Sequence, residues 1–395
     1  MLANMISRKL GAGLQAGGAG KQLERVLAGD TGRKTGHNSQ FTIQESITED
    51  GFMRRTFKTV KTVFAAMAMC GLVLSATSAS AQINERVLRF ATSNVEGNPQ
   101  VDGLMKFADL VKEKSGGKMV VKVFTGATLG KDIQVLSSMQ GGTVDGATMN
   151  TNLLVGIIKD AGLVDLPYLF ETEQEAYAVL DGPFGKKLYS QLEPKGLVGL
   201  AYFDMGYYSL HNNTHPITKL EDVKGLKMRV TETPVTIDTY KAWGANAVPL
   251  AYAELFSALE AKIVDGGGQP PLNMIYGKIG EVSKYYTLNR YSFTPVSLLI
   301  GKKTMDKLTA DEKKVIWDAA KESTDYQRQM SLKKTADCLA ELKKTKTQVT
   351  ELPPAEIARF REATKPVVEK YLKVYDEALG KELYAEIAKY RSAKK

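Results

Sequence analysis

One arginine stands where the chain could hold an acid. Arg229 ends an expected strand, Leu226 to Val230, in the run GLKMRV. Thr233-Pro234 follows, an N-cap with proline at the first helical position. In open α/β sheets, ligands bind beyond the carboxyl ends of strands. A guanidinium placed there can grip a carboxylate through two parallel hydrogen bonds. The competing reading is a surface arginine in a salt bridge. Asn150-Thr151-Asn152 has a similar setting after an expected strand, Thr143 to Met149, so its amides could face the same cleft.

Other chemistries are poorly supplied. His211 and His215 are the only histidines beyond residue 37. They lie in a strand-to-turn segment without the glutamate of H-E-x-x-H, so no metal site is expected. Gly126 to Asp132 superficially matches a phosphate loop. It has three residues between its glycines instead of four, and Asp in place of Ser/Thr, so it fails that pattern. Neither GxSxG nor GxGxxG after a strand is present beyond residue 81. A hydrolase or lyase is the rival class, but the activated groups it needs are not found. No cofactor is implied. Cys338 stands alone once the leader containing Cys70 is set aside, so the fold must rest on its core.

Arg229 lies in a stretch of alternating strands and helices. Gly225 to Pro271 reads as strand, helix, strand, helix, strand, with Ala247 to Leu250 as the middle strand and Leu255, Leu259 and Ile263 at core spacing. Before it come strands at Val87–Ala91, Met119–Phe124 and Leu197–Phe203. Between them lie a helix with Leu104, Phe107, Leu110 and Val111 on one face, and a helix Asp132 to Gln140 with Ile133, Leu136 and Met139 inward. Met205 to Pro216 is taken as a crossing between two lobes, and Val296 to Ile300 as the return strand. Thr309-Ala-Asp-Glu312 is a capping box opening a helix to about Lys344, long enough to lie across both lobes. Pro353-Pro354 ends it, and one or two helices interrupted at Pro366 follow. The resulting organisation is lobe I from 82–207 plus 296–340 and lobe II from 208–295 plus 341–395.

The first 81 residues belong to export. Met53-Arg54-Arg55 opens a basic region, Val63 to Leu74 is an apolar run of twelve, and Ala79-Ser80-Ala81 is an A-x-A cleavage site. This is a secretory signal peptide at 53–81, with a mature start near Gln82 and a periplasmic destination. Arg54-Arg55-x-Phe57 partly matches a twin-arginine signal. Residues 1–52 show no strong apolar periodicity; they are expected to be disordered, with translation starting at Met53. No other segment carries eighteen consecutive apolar residues, so no membrane span is expected. The chain of 395 residues carries +9, of which residues 1–81, with ten Lys/Arg against five Asp/Glu, leave +4 for the rest. That mild excess argues against a nucleic-acid surface.

Several runs together carry a family resemblance: GGKMVVKVF, LGKDIQVLSSMQGGTVDGAT, LPYLF, NNTHPI, GLKMRV, GANAVPLAYAELFSALEAKIVDG and EVSKYYTL. Their order and spacing, from about Val87 to about Leu308, resemble the solute-binding proteins of tripartite ATP-independent periplasmic (TRAP) transporters, DctP type. The resemblance implies an α/β, two-lobe periplasmic-binding-protein-like fold with mixed sheets, a hinge cleft and a long helix spanning both lobes. It implies a monomer that captures a small organic acid, a sugar acid or other carboxylate, by closing on it, and delivers it to membrane permease subunits. A sensor protein serving a membrane kinase is the alternative.

The same resemblance implies site residues. Asn94 and Glu96 sit in the loop that borders the ligand in the family. Asn150 and Thr151 fall where the family lines its pocket, and Tyr252 where an aromatic residue packs on the ligand. Many members have an arginine where Tyr208 stands, which puts a doubly anchored dicarboxylate in doubt. The family usually reads roughly DGQENP where this chain has Asp265-Gly-Gly-Gly268-Gln269-Pro270. Gln269 thus takes the place of a ligand-contacting Asn, and Gly267 and Gly268 open room, let the backbone approach the ligand, or form a flexible turn.

Overall fold

Alternation of buried and exposed residues opens the first strand, β1 (Arg86–Thr92). The computed structural model describes residues 82–394; the signal peptide, the Met53 start and Cys70 lie outside the described residues. Asn98 caps α1 (Pro99–Lys114), which buries Leu104, Phe107, Leu110 and Val111 as its spacing predicts. Strand β2 (Met119–Phe124) pairs with β1 in parallel. Helix α2 (Asp132–Gly141) buries Val135, Leu136 and Met139. Ile133, expected inward, is exposed; Val135 takes the inward position, since Leu136 and Met139 set a face that Ile133 lies off.

Strand β3 (Gly146–Asn150) joins β1, and 3-10 turns follow at Thr151–Gly156 and Lys159–Asp165. Helices α3 (Glu173–Leu180) and α4 (Pro183–Ser190) lead into β4 (Leu197–Asn212). Then come β5 (Lys227–Val230), α5 (Pro234–Ala242), β6 (Asn246–Pro249), α6 (Leu255–Glu260), β7 (Gly266–Gln269) and α7 (Pro271–Ile275). Strand β8 (Tyr285–Gly301) returns, followed by α8 (Lys302–Asp306) and α9 (Ala310–Leu342). The chain ends with β9 (Gln348–Glu351), α10 (Pro354–Ala363), α11 (Lys365–Val374) and α12 (Glu377–Ser392).

All nine strands form one mixed sheet, ordered β2-β1-β3-β8-β4-β7-β5-β6, with β9 on β8. Strands β4 and β8 run much further than their expected segments, because burial continues without a break through Asn212 and back from Tyr291. Their ends serve different halves. Leu197 to Phe203 lies against Val296 to Gly301, beside β3; Ser209 to Asn212 lies against β7. The two halves of the sheet therefore share only β4 and β8. Register shifts between Asp204 and Tyr207 and between Tyr208 and Leu210 bend the pair where the halves meet. The fold is two-lobed, and the lobes meet at this bend.

Thr309 and Glu312 form the expected capping box of α9. At 33 residues this helix is about 50 Å long. It packs on α1 and β4 and, near its end, on α7, so it touches both halves. Three tail helices form where one or two were expected, since the chain turns extended at Tyr375 and Asp376 caps a new helix. The tail serves both sides: β9 pairs with β8 at Tyr285–Leu288, α11 touches α5, and α12 packs on α3 and α4.

The glycine run is a buried central strand, not a turn. A Cβ on Gly266 would sit 2.0 Å from the carbonyl oxygen of His211, and one on Gly268 would sit 2.2 Å from the Tyr291 hydroxyl. The sheet and the tyrosines leave no room for side chains at either position.

Candidate functional site

Arg229 is on β5, one residue from its carboxyl end, and only 3% exposed. Its Nε donates to the carbonyl of Leu250 at 2.8 Å, just past β6. No ion pair to a protein carboxylate forms on it among the described residues, which disposes of the salt-bridge reading. Burial lowers its pKa, offset by the phenols of Tyr208, Tyr240, Tyr291 and Tyr252 around it.

A cavity of about 20 Å³ opens beside the guanidinium, with Arg229, Tyr208, Tyr252, Asn150 and Asn94 all in its lining. Five of the eight sequence-predicted residues thus converge. The Tyr208 hydroxyl accepts from Asn150 Nδ2 at 3.1 Å. Tyr252 reaches the cavity from the 3-10 turn before α6. Burial pushes its phenol above its ordinary value, so it stays protonated and can donate.

Asn94 belongs to a chain of amides. Its Nδ2 donates to Gln100 Oε1, and its Oδ1 accepts from Asn98 Nδ2 at 3.3 Å. Asn98 Nδ2 also reaches Asn273 Oδ1 at 2.9 Å, and Asn273 Nδ2 donates to Gln269 Oε1 at 2.7 Å. This relay runs from the β1 half to the β7 half.

Three expected residues do not line the cavity. Gln269 is wholly buried one step behind, where it orients Asn273, which does line the cavity. Thr151 is also wholly buried; its hydroxyl meets Ser297 Oγ at 2.9 Å because the 3-10 turn starts there and directs it into the sheet. Glu96 is exposed, in the turn just before α1. Of the histidines, His211 is buried with Nδ1 2.9 Å from Ser283 Oγ, while His215 Nδ1 faces the Pro216 carbonyl at 3.1 Å. Among the described residues no three His, Cys, Asp or Glu cluster as metal ligands would.

The sequence reading missed Asp132. It is the first residue of α2 and lines the cavity, and its Oδ2 accepts from Ser93 Oγ at 3.2 Å. Burial lifts its pKa to about 6, against the pull of Ser93 and Arg229. The signal was present: Asp132 follows a glycine loop beyond the carboxyl end of β2, the same rule that singled out Arg229. Asn273 was missed as well, and only its contact across the cleft reveals it.

The groups in this arrangement are those that bind an acid with hydroxyls. A forked cation meets an acid, and a carboxylate, amides and phenols meet hydroxyls. Set between two half-sheets joined by bent strands, it has the place and the polar lining of a small-molecule site between two lobes.

Comparison with known proteins specifies the class. Residues 90–374 match the DctP family, described as bacterial extracellular solute-binding protein, family 7. The chain belongs to that family. It is 32% identical over 272 residues to the 2,3-diketo-L-gulonate-binding periplasmic protein YiaO of Escherichia coli, covering 69% of this chain and 82% of that one. A TRAP periplasmic solute-binding protein from Ochrobactrum anthropi, whose C-terminus is bound in its ligand pocket, is 47% identical, with a TM-score of 0.71 over 79% of this chain and 98% of that one. The sugar acid binding protein DctPAm from Advenella mimigardefordensis, in complex with galactonate, is 37% identical, with a TM-score of 0.77 over 78% and 99%.

Proposed function

We propose that this protein captures a polyhydroxy monocarboxylate of the sugar-acid class in the periplasm and presents it to the membrane subunits of a TRAP transporter. The carrying observation is that Arg229, its Nε already committed to Leu250, shares one cavity with Asp132. One cation suits one carboxylate, and a half-buried carboxylate beside it accepts from hydroxyl groups but repels a second acid. Tyr208 supplies a phenol where a second cation would be needed to hold a dianion. The similarity to YiaO and to the galactonate complex supports the same class.

The cavity of about 20 Å³ has room for about one water, so a sugar acid enters only as the halves part at the β4–β8 bend. Closure then removes the ion pair from water, where it strengthens. No described helix is long and apolar enough to cross a membrane; the permease subunits follow from the family.

Two measurements test this reading. Mass spectrometry of small molecules released from natively purified protein should find a hydroxylated monocarboxylic acid. Calorimetry should rank D-galactonate and D-glucuronate above succinate. A preference for succinate would overturn the substrate class.

A further inference from the structure

Asp165 takes hydrogen bonds from both halves of the protein. It ends the 3-10 turn Lys159–Asp165, on the side built around β1 to β3. From that side Asn152 Nδ2 donates to its Oδ1 at 2.7 Å. From the other side Thr233 Oγ1 and Thr236 Oγ1 donate to its Oδ2 at 2.6 and 2.9 Å. Thr233 is the N-cap of α5, and Thr236 lies in that helix's first turn. Only Val230 to Glu232 separate Thr233 from Arg229. A small cavity behind the guanidinium is lined by Arg229, Asn152 and Asp165 together.

A buried carboxylate needs its donors, and here two of them belong to the opposite half. The N-terminus of α5 adds a favourable dipole. Parting of the halves at the β4–β8 bend would carry the threonines away with α5 and β5. Bonds that span the two halves in this way bear directly on the balance between open and closed forms. We infer that Asp165 is a latch between the halves, a positioning residue that fixes α5, and with it Arg229, over the cleft when the protein closes. The inference rests on the proposed capture by closure.

The test uses Asp165→Asn, Thr236→Val and the double variant, with spin labels at the exposed positions Glu96 and Ala253, one on each half. Without added ligand, each single variant should show a smaller share of molecules at the short, closed distance than the unsubstituted protein. With D-galactonate as the probe, each should bind about tenfold more weakly, mainly through faster release. The double variant should lose less than the sum of the two single losses, since both changes act on the same cluster of bonds around Asp165. An unchanged closed share with only a lowered melting temperature would reduce Asp165 to a structural role and overturn the latch. So would additive losses in the double variant. If the unsubstituted protein ignores D-galactonate, the substrate reading fails, while the ligand-free distances still decide the latch.

Discussion

Arg229 Nε donates to the backbone carbonyl of Leu250, 2.8 Å away and just past the end of the neighbouring strand β6. The guanidinium is thereby fixed in its plane, with its two Nη groups left for a carboxylate. Lysine cannot reproduce this: one ammonium would have to choose between Leu250 and the ligand. Arg229→Lys should keep the fold and weaken sugar-acid binding by about 2 kcal/mol. Calorimetry beside a thermal melt separates the two effects.

Asp132 should trade stability for function. Its carboxyl titrates at about 6, above its ordinary 3.8. Between those values the folded protein holds a proton that the unfolded chain has released. The group's contribution to stability therefore falls as pH rises from about 4 to about 6, and the deficit is complete at pH 7. Asp132→Asn should melt higher than the unsubstituted protein at pH 7, with the gap closing toward pH 4, and should bind D-galactonate less tightly. Asp204 is also lifted to about 6 by burial, so the difference between variant and unsubstituted protein, not the raw pH profile, is the readout.

Much of this was legible because local rules sufficed. Thr233-Pro234 announced α5, the Thr309 box announced α9, and strand ends located Arg229 and Asn150. What escaped depends on partners distant in the chain. The inward turn of Thr151 is set by Ser297, and the setback of Gln269 by Asn273 and the packing of β7 between β4 and β5. The lengths of β4 and β8 escaped for the same reason. Their burial comes from neighbours on both sides, so their apolar runs carry no alternation to mark an end.

Tyr208 should govern the charge of the preferred ligand. It lines the cavity with Arg229 and is held by Asn150. Tyr208→Arg would place a second cation there and turn preference toward dianions. Calorimetry with succinate and D-galactonate should show the ratio of affinities moving toward succinate by about tenfold or more.

Gly268 should tolerate nothing larger. A Cβ there would lie 2.2 Å from the Tyr291 hydroxyl and 2.4 Å from that of Tyr240, which bond each other at 3.0 Å. Gly268→Ala should destabilise by about 1–3 kcal/mol through overpacking, visible as a lower denaturant midpoint. Because these phenols flank Arg229, affinity should fall as well.

The proposed capture depends on Arg229 as the anchor for the acid group. The most direct measurement is a calorimetric titration of Arg229→Ala with D-galactonate against the unsubstituted protein. The anchor predicts a loss of about 2–5 kcal/mol with the fold intact by circular dichroism. Equal affinity in the two proteins would contradict it.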